Sequence, residues 1–139
     1  MNQLEQDILS TAENFSKIFS EGDCDFSIEG LEFVDDFLDD MGSHELDEDE
    51  IFNISSMAGC YIFETARRNY GGEYLWIKDE QQPILVAGMP DFSVAIRAWE
   101  KVRGRLLNGK EDSIPFYIAG YKEHIEKGKQ EKGYNVQIV

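Results

Sequence analysis

Few side chains in this sequence combine the residue type and the spacing that catalysis requires. Cys60, His124 and a carboxylate could in principle form a nucleophile, its base and an orienting group. Cys60, however, stands in an apolar run, which is typical of an inert core thiol, and His124 stands among charged residues. Glu64 could be an acid of altered pKa, although such a residue more often pairs with a nearby arginine. The sequence contains no phosphate-binding loop and no nucleophile elbow, so we expect no enzymatic activity and no cofactor.

One segment has the spacing of a metal-binding loop. Residues 21–32 place oxygen-bearing side chains at positions 1, 3, 5, 7, 9 and 12 of a twelve-residue calcium loop. Two departures weaken this interpretation, because Phe26 stands where the sharp turn needs glycine and Glu21 stands in place of aspartate. Ser27 also suits an ordinary helix cap. The two histidines lie far apart and no Cys-x-x-Cys pair occurs, so we predict no metal site.

The most unusual chemical feature is the density of carboxylates between Glu29 and Glu50. Placing residues 27–41 at 100° steps puts acids on one helical face and apolar side chains on the other. Like charges four residues apart destabilise a helix by about 0.2–0.5 kcal/mol per pair. Two interpretations remain open, a solvated face or a surface for a basic partner. The second predicts Phe33, at the border of the apolar face, as an anchor within a set of contacts: Glu32, Phe33, Asp36, Asp39, Asp40, Asp47 and Glu48.

The negative charge of the chain lies almost wholly in its first half. The net charge is −15; residues 1–66 hold eighteen acids and one base, which gives −17, and residues 67–139 hold ten acids and twelve bases, which gives +2. Such a distribution repels nucleic acid and anionic membranes and attracts basic proteins. We expect the only basic cluster to neutralise the acidic half or to form a solvated helix face, since it is too small for nucleic acid: Arg97, Lys101, Arg103 and Arg105.

The composition predicts one soluble, cytoplasmic domain. The chain has 139 residues, of which 42% are hydrophobic and 12% aromatic, and these values suit a single packed core. The first residues lack the basic and apolar regions of a signal peptide. No segment approaches the ~20 apolar residues that a membrane span requires. The two cysteines are too few for a disulfide framework, and we expect both to be reduced.

Hydrophobic periodicity predicts three helices in the first half of the chain. They cover residues 3–20, 27–41 and 48–69, and Asp47 has the side chain and position of an N-cap for the third helix. The third helix is apolar on nearly all sides, which is typical of a buried helix. Its small residues from Ser55 to Cys60 permit another element to approach closely.

The residue pattern in the second half of the chain predicts short strands followed by helices. The expected strands are 73–78, 84–87 and a third around 92–96; the expected helices are 98–107 and 113–127; the tail from residue 133 is an edge strand or a frayed end. The predicted fold class is therefore α+β. N-terminal helices and a buried central helix pack on a small antiparallel sheet, and two C-terminal helices follow. We expect Trp76 and the helical segment Met57–Ala66 to meet at the interface between sheet and helix.

A resemblance to other proteins extends over residues 27 to about 121. It rests on an acidic helix, on a small-residue helix followed by a turn and a strand with tryptophan, and on two later segments. In chain order these are Ser27–Leu38, Met57–Glu64, Arg68–Gly72, Trp76, Lys101–Gly109 and Glu111–Ile114. In these segments the chain resembles a broad group of small bacterial domains. Similar acidic chains of this size occur as immunity proteins beside contact-dependent and type VI secreted toxins. The resemblance brings no catalytic residues with it, which favours a binding role. The group often has a small residue four positions after Gly59, where this chain has Phe63.

The expected function is that of an immunity-type inhibitor. It binds a basic toxin through its acidic face and blocks it, and a nuclease is the expected target because nucleases carry basic clefts for phosphates. The alternative is a ligand-binding or enzymatic domain with a cleft near Glu64, Tyr61 and Trp76. An adaptor for some other basic protein is a third possibility.

Overall fold

The computed structural model describes residues 2–19 and 24–138, and within them the chain forms helices and a four-stranded sheet. The elements in chain order are α1 (Gln3–Ile18), α2 (Gly30–Gly42), α3 (Glu48–Tyr70), β1 (Glu73–Ile77), β2 (Gln82–Ala87), β3 (Ser93–Ile96), α4 (Ala98–Asn108), α5 (Ile114–Gln130) and β4 (Asn135–Ile138). A 3-10 turn, Gly109–Asp112, joins α4 to α5. The α+β class predicted from the sequence is confirmed.

The ends of the helices follow local side-chain chemistry. Asp47 caps α3 as predicted: its Oδ1 accepts the backbone N–H of Glu50 at 2.8 Å, and Glu50 Oε1 accepts the backbone N–H of Asp47 at 3.2 Å. The start of α2 differs from the prediction, because the helix begins at Gly30. Ser27 Oγ accepts the backbone N–H of Gly30 at 3.1 Å, so Ser27 caps the turn that leads into α2.

The sheet has the order β1-β2-β3-β4 and is mixed. The pairs β1–β2 and β2–β3 are antiparallel, whereas β4 runs parallel to β3 with Val94 opposite Val136. The prediction of an antiparallel sheet is therefore wrong for its last strand. Between β3 and β4 the chain passes through α4 and α5, which supply the crossover that a parallel neighbour requires. The tail forms an edge strand, one of the two alternatives that the sequence left open.

Helix α3 is central to the core. Its segment Ala58–Ala66 is buried on every side, as the apolar circumference of the sequence predicted. The sheet face that it shares with the other helices carries Tyr74, Leu85, Val94 and Ile96. In spite of the apolar character of α3, no helix in residues 2–19 or 24–138 is both long and apolar enough to cross a membrane.

Gly59 sets the distance between α3 and α4. A Cβ at this position would lie 2.6 Å from Trp99 Cδ1 and 3.1 Å from Trp99 Cα. The small residues of α3 therefore admit α4 at close range, which confirms the expectation from the sequence.

Trp76 does not lie in the core, and this prediction is wrong. By strand alternation Trp76 shares the helix-covered face of β1 with Tyr74, but 45% of its surface is exposed, against 5% for Tyr74. The helices α1, α3 and α4 leave a cavity of about 290 Å³ beside Trp76 instead of covering it.

Candidate partner-binding surface

The outward face of α2 carries a row of exposed carboxylates. Glu32, Asp36 and Asp40 are spaced four residues apart, so they follow one another along one side of the helix. Among the described residues none of the three has an ion-pair partner. We call these three residues the acidic ridge. Its charge is left unneutralised by the part of the chain that the structure describes.

The inner flank of α2 is fixed to α4 by Arg105. This guanidinium is 1% exposed; its Nε donates to Asp35 Oδ1 at 2.9 Å, and its Nη2 donates to Asp35 Oδ2 at 3.1 Å and to Asp39 Oδ1 at 3.2 Å. Asp35 Oδ1 also accepts the backbone N–H of Ile114, the first residue of α5, at 2.9 Å. The hydrogen bonds to Asp35 raise the pKa of Arg105 above its usual value. The predicted contact residue Asp39 thus has a structural role inside the fold.

The predicted contacts at the start of α3 also have partners within the chain. Glu48 Oε2 lies 3.0 Å from Arg103 Nη1, and the hydrogen bond from Arg103 lowers the pKa of this carboxyl. The Glu48 side chain remains 75% exposed, so the pair is a surface ion pair of small energetic value. Asp47 is exposed but accepts the capping hydrogen bond of α3.

Phe33, the predicted anchor, lies on α2 and is half-buried. Its ring centroid is 5.2 Å from that of Phe19 in an edge-to-face arrangement, within an aromatic group that also includes Phe15 and Phe37. The sequence placed Phe33 at the border of the apolar face, and in the structure Phe19, the residue that follows α1, packs against its ring. Phe33 can therefore offer a partner only part of its ring.

The basic cluster of α4 is used mainly inside the fold. Two of its four members bind acids of the first half, as described above. The other two pair with acids of the second half: Arg97 with Glu80 at 3.1 Å and Lys101 with Asp112 at 2.7 Å. The structure shows the neutralising role expected for Arg103 and Arg105, and the acidic ridge lies outside its reach.

Glu64 forms a buried ion cluster near the end of α3. Its carboxylate accepts hydrogen bonds from Arg67 Nε at 2.6 Å, Arg68 Nε at 2.8 Å and the hydroxyl of Tyr74 at 2.9 Å. Burial disfavours the charged form, but these donors outweigh it and hold the pKa of Glu64 below its usual value. Glu64 borders a polar cavity of about 420 Å³ that Glu5 also lines. A general acid at neutral pH needs a raised pKa, so this geometry favours an ion pair over proton transfer.

The alternative prediction is a ligand-binding or enzymatic cleft near Glu64, Tyr61 and Trp76. These three residues do not line one common cavity. Glu64 lines the polar cavity, whereas Trp76 lines the apolar cavity between α1, α3 and α4. Tyr61 is fully buried, and its hydroxyl accepts the backbone N–H of Phe26 at 2.9 Å. Phe26 has a positive φ of 65° and stacks on the Tyr61 ring at 4.8 Å, so Tyr61 fixes the loop before α2.

The other chemical candidates have structural surroundings. Cys60 is buried, and desolvation raises the pKa of its thiol to about 11, so a thiolate is not formed at neutral pH. The Nδ1 of His124 lies 2.6 Å from the hydroxyl of Tyr134. Residues 21–23 of the calcium-loop interpretation lie outside the described residues. Within residues 2–19 and 24–138, no cluster of three or more His, Cys, Asp or Glu side chains is arranged to hold a metal ion.

No protein-family model, curated protein or solved structure matches this chain. The resemblance to immunity proteins therefore stays a prediction from the sequence. Any functional conclusion depends on the surfaces described above.

Asp35 is the residue that sequence reasoning missed. It lies four residues after Leu31 and three before Leu38, both of which are fully buried, so helical spacing alone places it beside the core. The same reasoning applies to Arg105, which stands between the buried residues Val102 and Leu106. An acid and a base that each fall beside an apolar face are the signal that these two side chains are partly buried, although the spacing does not show that they pair with each other.

Proposed function

We propose that this protein is an immunity-type inhibitor that binds a basic toxin through the exposed acids of α2. The observation that carries this proposal is the acidic ridge. Glu32, Asp36 and Asp40 are exposed and have no ion-pair partner among the described residues, although two arginines serve the neighbouring acids Asp39 and Glu48.

The arrangement of charge on α2 supports a binding role. The inward-facing acid Asp35 has an arginine partner, while the outward-facing acids repel one another at i, i+4 spacing and cost about 0.2–0.5 kcal/mol per pair. A basic partner would relieve this repulsion on binding. The field of such a ridge also accelerates encounter with a cationic surface above the ~10⁵–10⁶ M⁻¹s⁻¹ typical of neutral proteins.

A toxin that holds phosphates is the partner class that fits this surface. A nuclease needs a cleft of lysine and arginine side chains, and a row of carboxylates can enter such a cleft as a competitor for the phosphates. Inhibition then follows from occlusion of the cleft. No chemistry is required of the inhibitor.

The test is a triple charge reversal on the ridge, Glu32→Lys, Asp36→Lys and Asp40→Lys, co-expressed with the product of the adjacent reading frame. Asp39 is left intact because its reversal would place a lysine beside Arg105. The matched control reverses three exposed acids at the other end of the chain and makes the same change in net charge: Glu123→Lys, Glu126→Lys and Glu131→Lys.

We expect the parent and the control variant to protect cells from the adjacent product and the ridge variant to lose protection. Binding measured by calorimetry should weaken by about tenfold or more in the ridge variant only. If the adjacent product is harmless when expressed alone, or if the ridge variant protects as well as the parent, the proposal is wrong.

A further inference from the structure

A second surface of this protein is formed by aromatic side chains from α3, β1 and α4. The chain contains two tryptophans, and both line the same groove. The ring centroid of Trp99 lies 5.9 Å from that of Phe52 and 6.2 Å from that of Trp76, and both contacts are edge-to-face. We call the surface formed by Phe52, Trp76 and Trp99 the aromatic groove.

The aromatic groove is open to solvent. Phe52 is 56% exposed and Trp76 is 45% exposed. Between them lies the cavity of about 290 Å³, whose floor includes Ile8 of α1 and Cys60 of α3. A neighbouring cavity of about 200 Å³ shares Phe52 and Trp99 with the first, so the two cavities lie side by side against the same aromatic rings.

The size and composition of the groove suit one large side chain of a partner. Neither cavity exceeds the lower end of the ~300–1,000 Å³ range of small-molecule pockets. Clustered exposed aromatic residues are enriched at interfaces, where tryptophan in particular carries binding energy. Single exposed apolar residues are ordinary by comparison, and Ile18 and Phe116 are examples in this chain.

The rim of the aromatic groove is acidic. Asp7 lines the first cavity, and Glu80 and Glu100 line the second. Asp7 and Glu100 have no ion-pair partner among the described residues. Among the described residues that line the two cavities, the one basic side chain, that of Arg103, is paired with Glu48.

The negative charge of the rim favours one of the possible occupants of the aromatic groove. A second copy of a chain with a net charge of −15 would bring like charge to an acidic rim, and nucleic acid and anionic membranes would be repelled in the same way. A cationic protein segment has the complementary charge. Its apolar side chain can enter the cavity while flanking lysine or arginine side chains meet Asp7 and Glu100.

We propose that the aromatic groove docks a cationic segment of a protein partner through one large apolar side chain flanked by basic residues. This inference rests on the proposed function in one respect, namely that the partner is a basic protein. It adds a second contact surface, made by α1, α3, β1 and α4, to the acidic ridge of α2. The ridge then provides long-range attraction, and the groove provides a desolvated anchor.

The test uses a peptide, so it does not depend on the identity of the toxin. The probe is an amidated five-residue peptide with phenylalanine between two pairs of lysines, titrated into ¹⁵N-labelled protein. The indole N–H signals of Trp76 and Trp99 are the only two of their kind in the spectrum and report binding at the groove. Two peptides serve as controls, one with serine in place of phenylalanine and one with glutamates in place of the lysines.

We expect the phenylalanine–lysine peptide to shift both indole signals and to bind about tenfold more tightly than either control peptide. Trp76→Ala removes the exposed ring and should weaken this binding by a similar factor. Asp7→Lys with Glu100→Lys leaves the aromatic rings in place and should also weaken it. Glu123→Lys with Glu126→Lys makes the same change in net charge on α5 and should leave it unchanged.

Three outcomes would overturn the inference: unmoved indole signals, equal binding of the phenylalanine and serine peptides, or equal binding by Asp7→Lys/Glu100→Lys and its α5 control. A fourth outcome that would overturn the inference can be measured by sedimentation of the free protein. If the protein is a dimer that Trp76→Ala dissociates, the groove is occupied by a second copy of the chain. If the peptide binds as expected while the adjacent gene product does not, the groove inference stands and the proposed function fails. If the toxin binds and the peptide does not, only the groove inference fails.

Discussion

At the scale of single residues, the donors around Glu64 decide its charge. Arg67, Arg68 and Tyr74 supply hydrogen bonds to a carboxylate that is 1% exposed, so the charged form is stable in spite of burial. The pKa of Glu64 in the folded state is lower than in the unfolded chain. Linkage then requires that this carboxylate stabilises the fold above its unfolded pKa, ~4.3, and that the contribution is lost as the pH falls through the folded pKa.

Glu64→Gln should therefore destabilise the protein at neutral pH and not in acid. We expect a loss of about 2 kcal/mol at pH 7, because hydrogen bonds to charged groups contribute about 1.5–3 kcal/mol. The measurement is urea denaturation of both proteins from pH 7 down to about pH 3; the difference in stability should stay constant until the pH nears the unfolded pKa of ~4.3 and should shrink below it. Glu73→Gln, at an exposed residue of the same cavity, is the control and should change little. A constant difference at all pH values would show that charge at Glu64 is not the cause.

The sequence identifies residues whose role is local and misses those whose role is tertiary. Asp47 could be predicted as a cap because its partner, Glu50, stands three residues away. Asp35 and Arg105 are 70 residues apart, and no local pattern links them. Trp76 shows the converse error: alternation predicts which face of the strand it occupies, but burial depends on how far the helices extend over that face.

At the scale of the elements, the contact between α3 and α4 depends on the absence of a side chain at Gly59. Gly59→Ala should destabilise the protein by about 1 kcal/mol or more, since overpacking costs about 1–3 kcal/mol and exceeds the gain in helix propensity of up to ~1 kcal/mol. The new Cβ would lie 2.6 Å from Trp99 Cδ1, and a rotation of the indole would still leave tight contacts of 3.1 Å to the Trp99 backbone N and Cα. Thermal denaturation measures the loss of stability, and the fluorescence of Trp99 reports the change in its surroundings.

Gly120 provides the matched control for this substitution. It is a glycine within α5, and nothing lies within 4 Å of the position that its Cβ would occupy. Gly120→Ala should therefore stabilise the protein by up to ~1 kcal/mol through helix propensity. If the two substitutions have the same sign, the close packing of α3 on α4 is not the cause.

The order of helices and strands could be predicted because each has its own periodicity and end signals. The direction of β4 could not, because Asn135–Ile138 is too short to show which neighbour it joins. Its parallel pairing with β3 depends on where α5 delivers the chain, which is a property of packing between α5 and the sheet.

At the scale of the whole molecule, repulsion among the acids of the first half should dominate the response to salt. Of the eighteen carboxylates in residues 1–66, those with an ion-pair partner in the described part of the chain are Asp35, Asp39, Glu48 and Glu64. The pair of Asp35 with Arg105 is partly buried and hence weakly screened, whereas the exposed acids are strongly screened. Salt should therefore raise the melting temperature.

The expected rise is about 3 °C between ~10 and ~300 mM salt, the shift that corresponds to about 1 kcal/mol in a domain of this size. Scanning calorimetry of the ridge variant, Glu32→Lys with Asp36→Lys and Asp40→Lys, should give a smaller rise because it removes part of the repulsion. A fall in melting temperature with salt would mean that attraction between α4 and the acidic half dominates instead.

The junction of Asp35 with Arg105 and Ile114 also constrains how the protein is made. Asp35 is 70 residues from Arg105 and 79 from Ile114. A ribosome adds ~5–20 residues per second, so Asp35 is synthesised roughly 4–16 s before Ile114, its last partner. Helices α1 and α3 can meet during that interval, but α2 cannot be fixed in place. The acidic surface thus reaches its final arrangement only after translation has passed α4 and entered α5.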